Sequence, residues 1–301
     1  MDKVRIKLTL QFDHPVNAYA LVIGGYYPLS LAFSGMLLID RNILSVLSSV
    51  SGLSTRQDAE ANRWWLSFLN RSQCILNPVL CALEGEEGAV PSYEEFCASF
   101  DTACEYIRKH LPNAQVVNFV QDAYQAAYST VEDLTVRYEN ERAFLVGAAS
   151  LLARRNKSSE LRSVEDNLFS LCSSSGLEVF SLPLIVALSC LYESRDGNEQ
   201  SIGRRIIKPT EYYDEKRAHN TISDLRALEY LAIANGLGIG SITFCTRDKA
   251  LAALWCALKM EPGYWENGGV SINMSLGAQL FPTLGEDEIN QLHQRMAQKA
   301  F

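Results

Sequence analysis

The sequence predicts an α/β protein with an open parallel sheet, and three observations carry that expectation. The apolar run Met36-Leu37-Leu38-Ile39 stops at Asp40, and a helical pattern begins at Asn42. Far downstream the run Ser241 to Cys245 stops at Thr246-Arg247-Asp248 and passes at once into a helical pattern reaching Lys259. Between them, apolar residues recur at helical spacing over long stretches broken by Pro112-Asn113, Asn156 to Ser159 and Ser173 to Gly176. Strands that alternate with helices favour parallel pairing, because each helix carries the chain back across the sheet.

The remaining elements follow in order. Val4, Ile6, Leu8 and Leu10 alternate with polar neighbours and predict a half-buried strand, not a signal peptide. No charge occurs from Val16 to Ile39, enough by count to span a bilayer, but Gly24-Gly25, Tyr26-Tyr27-Pro28 and Ser34-Gly35 cut it into strands and turns. A membrane span is therefore not expected. Gln57 to Asn70 reads as an amphipathic helix and Cys74 to Leu76 as an extended piece. Asn77 is placed to cap a helix that starts at Pro78 and contains Glu84, beside Gly85, Glu86, Glu87 and Gly88. Tyr93–Leu111, Val116–Arg155, Val164–Cys172 and Leu182–Tyr192 are predicted helices. Thr221 to Asp224 has the form of a capping box ahead of a helix ended by Asn235-Gly236-Leu237-Gly238. Val270 to Leu276 predicts a late strand, and Glu286 to Lys299 a closing helix.

Composition narrows the chemistry. The chain has 301 residues, 48% of them hydrophobic, and can bury a large core. Its net charge is -8, so a polyanion must be met by a local basic patch or by bound cations. Eight cysteines without a CxxC pair sit mostly in apolar runs and predict reduced core thiols in a cytoplasmic protein. No P-loop and no GxSxG turn occurs, and Gly236-Leu237-Gly238-Ile239-Gly240 precedes a strand where a dinucleotide fingerprint follows one. A haloacid-dehalogenase phosphotransferase wants a second acid two places after the first; here Asp40 is followed by Arg41 and Asn42.

Four carboxylates stand at the edges of apolar segments: Asp40, Glu84, Asp224 and Asp248. In an open parallel sheet the carboxyl ends of the strands face one crevice, so neighbouring strands would bring Asp40 and Asp248 together. Carboxylates in close company repel, which protonation or a divalent cation relieves. Oxygen-only ligands suit Mg²⁺ or Mn²⁺, and no His or Cys set at zinc spacing competes.

The pattern resembles the PIN-domain nucleases over "LLIDRNIL" at Leu37–Leu44, "NPVLCALEG" at Asn77–Gly85, "NTISDLRALEYL" at Asn220–Leu231 and "FCTRDKAL" at Phe244–Leu251. The resemblance implies a PIN-like central parallel sheet flanked by helices. It divides the chain into an N-terminal strand and turn extension (1–35), a first PIN-like part (36–88), an α-helical insertion (89–216), a second part (217–276) and a C-terminal helix (277–301). It implies a divalent-metal-dependent endonuclease, on RNA in preference to DNA, with Asp40, Glu84, Asp224 and Asp248 as catalytic and metal-binding residues. Two ions so held would activate water and stabilise the leaving oxygen. Glu87, one turn on, is an alternative to Glu84. Asn42, Thr246, Arg247 and Lys249 are the expected substrate contacts, with the Arg154-Arg155-x-Lys157 and Arg204-Arg205-x-x-Lys208 runs as further phosphate candidates. The insertion offers a surface for a protein partner or a second copy.

Each acid also has an ordinary local account. Asp248 suits a helix cap, Asp224 a capping box, Asp40 a turn, and Glu84 an exposed helix position. The alternatives in function are a catalytically silent PIN-like binding or regulatory module and a partner-controlled nuclease of toxin or defence type.

Overall fold

The computed structural model describes residues 9–32, 35–49, 56–85, 88–194, 200–238, 241–266 and 269–299. The strands are β1 (Tyr19–Val22), β2 (Gly25–Pro28), β3 (Gly35–Ile39), β4 (Cys74–Asn77), β5 (Gln115–Val116), β6 (Ile242–Thr246), β7 (Tyr264–Glu266) and β8 (Gly269–Ser271). The helices are α1 (Arg41–Ser49), α2 (Arg56–Leu69), α3 (Val79–Glu84), α4 (Tyr93–His110), α5 (Gln121–Leu152), α6 (Leu161–Ser174), α7 (Leu182–Leu191), α8 (Ile202–Ile207), α9 (Glu215–Gly236), α10 (Lys249–Leu258) and α11 (Glu286–Lys299).

Among the described residues one mixed sheet runs β2-β1-β6-β3-β4-β5. The pairs β6-β3, β3-β4 and β4-β5 are parallel, while β1 lies antiparallel to both β2 and β6. The charge-free stretch after Val16 is thus a hairpin on the sheet edge followed by β3. Val22 pairs with Gly25, and Gly24 takes φ +88° in the turn, a conformation that favours glycine. No described helix is long and apolar enough to cross a membrane.

Side-chain alternation buries the sheet on both faces. Leu38, Leu21 and Phe244 face a large cluster with α3 to α11, whereas Leu37, Ile39, Ala20 and Cys245 face a smaller one with α1 and α2. Trp65 and Leu69 close the small layer, and the apolar α7 fills the large one. Each fully buried Leu, Ile or Phe contributes roughly 1.5–3 kcal/mol, so the two-sided cover holds the strand ends in place. All eight cysteines are free thiols.

Several expectations shift. Val116, expected to begin a long helix, instead forms an edge strand with Gln115 beside Ile75 and Leu76, and α5 begins only at Gln121. Val116 and Val117 suit a pleated, half-buried edge, so pairing with β4 overrides local helical spacing. The helix expected from the Thr221–Asp224 box begins earlier, capped by Asp214, whose side chain accepts from Arg217 N at 2.9 Å. A division at 216/217 therefore falls inside the first turn of α9. The late strand shrinks to β8, in a hairpin with β7. The expected strand Val4–Leu10 lies largely outside the described residues; Thr9 and Leu10 carry no regular structure.

Candidate functional site

The chain order reverses between β3 and β6. From β3 the sheet grows one way through β4 and β5, and β6 lies on the opposite side of β3. Ligands of open parallel sheets bind outside the carboxyl ends of the strands at such a reversal. Ile39 pairs with Cys245, so Asp40 and Thr246 are the next residues out, and Asp40 N donates to Cys245 O at 3.1 Å. Asp248 follows two residues later as the N-cap of α10.

Thr246 ties these ends together. Its hydroxyl donates to Asp40 Oδ2 at 2.6 Å and accepts from Asn42 Nδ2 at 3.1 Å and Asp248 N at 3.0 Å. One donor and two acceptor positions are thereby filled. Asn42 Oδ1 in turn accepts from Arg247 N at 3.0 Å. Asn42 and Thr246 were expected as substrate contacts, and Thr246 also as a hydrogen-bond partner of a neighbouring carboxylate; the second is seen in its bond to Asp40, the two residues fasten α1 to the β6 turn, and Thr246 is fully buried. Arg247 is half-buried and Lys249 exposed. The Asp248 capping account is realised, since Oδ1 accepts from Ala250 N at 2.7 Å and Leu251 N at 3.0 Å.

Glu84 ends α3, where Gly85 takes φ +71°. Arg41, which sequence reading passed over, pairs with Glu84 at 3.4 Å and donates to Gly85 O at 2.8 Å. Its position directly behind Asp40, at the head of α1, was the available signal. Glu87 lies outside the described residues. Asp224 stands about two and a half turns into α9. It lines the same cavity as Asp40 and Glu84.

The acids feel one another. Burial raises the Asp40 carboxyl to about 6; the Thr246 hydroxyl and the Asn42 and Arg41 amides oppose the rise, and the Asp248 charge adds to it. Burial is also the main reason Asp224 is pushed well above the usual carboxylate range, reinforced by Asp40, Asp248 and Glu84 and eased by Lys208. Glu84 is raised by burial, with Arg41 acting downward and Asp40 upward. Asp40, Glu84 and Asp224 line one cavity, and Asp248, the cap of α10, is not among its lining residues. Among the described residues, however, no three His, Cys, Asp or Glu side chains form a ready set of metal ligands.

The cavity holding Asp40, Glu84 and Asp224 measures about 860 Å³. Beside it lies a smaller one of about 400 Å³, and Glu84 and His219 line both. His219 accepts or donates a bond with the Tyr138 hydroxyl at 2.8 Å, and that hydroxyl reaches Gly88 O at 3.0 Å. Neither Tyr138 nor His219 was singled out for the site by sequence.

Three arginines of the two basic runs are engaged in ion pairs. Arg154 pairs with Glu160, while Arg155 and Arg204 both pair with buried Glu193, at 3.4 and 2.8 Å. They join the loop after α5 to α8. No protein-family model, no curated protein and no solved structure matches the chain.

Proposed function

We propose that this chain is a cytoplasmic, divalent-metal-dependent endonuclease of PIN-like organisation, with residues 89–216 inserted between the two parts that carry its acids. The carrying observation is the in-register parallel pairing of β3 with β6, which puts Asp40 and Asp248 on adjacent strand ends at the reversal point. Asp224 from α9 and Glu84 from α3 line one cavity with Asp40, and in this reading they complete the acid set with Asp248. The choice of RNA over DNA rests on the sequence resemblance alone.

The donor set fits Mg²⁺ or Mn²⁺ in kind, being all carboxylate oxygen. Its electrostatics support the reading as well: burial, with a smaller contribution from neighbouring acids, makes Asp40, Glu84 and Asp224 hold protons more tightly than free carboxylates, and a bound cation would compensate the same buried charge. When bound, the metal would supply positive charge toward a phosphodiester and acidify a water. The chain's own part is to fix Asp40 through Thr246, to hold Asp248 at the head of α10, and to keep Glu84 beside Arg41.

Incubation with single-stranded RNA and DNA, with and without Mn²⁺, tests the reading. Metal-dependent cleavage that is lost in Asp40→Asn and in Asp248→Asn is expected. Absence of cleavage with metal, or cleavage unchanged in both variants, rejects it. A second reading, a silent PIN-like binding module, is favoured by the Glu84–Arg41 pair and the capping duty of Asp248, which engage two of the four acids. Nucleic-acid binding without turnover is its signature.

A further inference from the structure

The two cavities that meet at Glu84 differ in character. The larger is lined by Asp40, Glu84 and Asp224, by further charged groups such as Arg137 and Arg226, and by apolar and aromatic side chains, among them Phe180 and Trp265. These two are 44% and 73% exposed, so they stand where the cavity opens to solvent. Exposed aromatic rings beside a site of charged groups call for a flat apolar partner. The volume lies within the range that encloses a small organic group.

The smaller cavity is polar. Arg41, Lys216, His219 and Asn220 line it, with Gly85 and Gly88 beside them. Arg41 is engaged by Glu84 and Gly85 O, whereas Lys216 and Asn220 are exposed and make no side-chain hydrogen bond among the described residues. A free ammonium and a free amide at one mouth suit a phosphate.

We infer that these cavities form one divided nucleotide subsite: the larger receives an unstacked base against Phe180 and Trp265, and the smaller receives a neighbouring backbone phosphate at Lys216 and Asn220. The inference rests on the nuclease reading and assigns residues outside its four acids. A duplex base must first leave its stack and its partner, whereas a single strand offers its bases freely. Tyr138 and Phe180, from α5 and the α6–α7 connection, line the large cavity. The helical segment therefore builds a wall of the substrate path.

Binding is tested on the full chain in Ca²⁺ by fluorescence anisotropy. The probes are a labelled single-stranded RNA, its duplex, and a base-free sugar-phosphate oligomer of equal length. The single strand is expected to bind tighter than the duplex. Phe180→Ala and Trp265→Ala should each weaken the single strand by roughly tenfold and leave the base-free oligomer unchanged. Lys216→Ala should weaken both. Both aromatic positions are exposed, and circular dichroism checks that the variants fold. Unchanged affinity in the aromatic variants, or equal loss on the base-free oligomer, overturns the base subsite even where Mn²⁺-dependent cleavage persists. No binding of any oligomer together with no cleavage removes the nuclease reading, and this inference with it.

Discussion

Thr246 Oγ1 donates to Asp40 Oδ2 at 2.6 Å, joining the ends of two strands that are neighbours only in the fold. The same hydroxyl accepts from Asn42 and from Asp248 N, so three parts of the site depend on one atom. Thr246→Val keeps the shape and removes all three bonds. Unsatisfied buried groups cost about 1–3 kcal/mol each, and solvent reaches some of those left here, so a total loss of about 3 kcal/mol is expected in urea unfolding. The Asp40 carboxyl should also rise above its value of about 6, because the Thr246 bond holds it down. Thr246→Ser should restore both. Wild-type stability in the valine variant would remove Thr246 as the tie.

Asp224 gives a pH dependence of definite sign. In the metal-free protein its folded proton affinity lies well above the ordinary value of 3.8. The folded state therefore binds the extra proton, and the stability this confers is full below 3.8 and lost as pH rises through the folded value. Asp224→Asn should be more stable than wild type at neutral pH in EDTA, by a few degrees in Tm, and the difference should vanish on acidification toward pH 4. Mn²⁺ should raise the wild-type Tm more than that of the variant, since a ligand stabilises only the state that binds it. Equal stability at every pH would place Asp224 away from its fellow acids.

The strand ends were legible because they are local: an apolar run, an acid and a helix start occupy a few residues each. Asp40 and Asp248 could be assigned to one crevice from a general property of parallel sheets. The start of α9 was misread because Thr221 to Asp224 mimics a capping box, while the true cap, Asp214, precedes a turn rich in polar residues. Arg41 and His219 were missed because their roles depend on which helices lie beside α3, and no spacing in the chain encodes that. The ion pairs of the basic runs were hidden for a similar reason. Their partner Glu193 is close in space to both, but local charge patterning shows only exposed arginines.

Glu165 is fully buried and receives Arg295 Nε at 2.7 Å, Arg295 Nη2 at 2.8 Å and Arg162 at 2.6 Å, together with the Tyr192 hydroxyl. This cluster fastens α11 to α6 and α7. Replacing one partner of a buried pair leaves a charge without compensation, at a cost of about 3–5 kcal/mol. Arg295→Leu should therefore destabilise the protein by the lower part of that range, because Arg162 remains. Amide exchange in α11 should accelerate more than in β3. Unaltered exchange in α11 would mean that its apolar face, with Ile289, Leu292 and Met296, holds it without the charge cluster.

His219 should oppose the carboxylates in acid. Burial lowers its proton affinity from 6.5, with the Arg226 and Arg41 charges acting the same way and a backbone bond to Glu84 acting against them. A histidine kept neutral in the folded state contributes stability that is present above 6.5 and lost as pH falls below it, because the unfolded chain takes up the proton first. His219→Gln should flatten that loss as pH falls below 6.5, whereas Asp224→Asn should steepen it by removing a group with the opposite slope. Tyr138→Phe separates charge from position: it leaves the histidine in place but deletes its bond to Tyr138 and the bond to Gly88 O. If the pair steadies the segment that carries Glu84, Tyr138→Phe should lower metal-dependent cleavage several-fold with little change in the affinity for single-stranded RNA. A parallel fall in affinity and cleavage would make Tyr138 a wall of the cavity only.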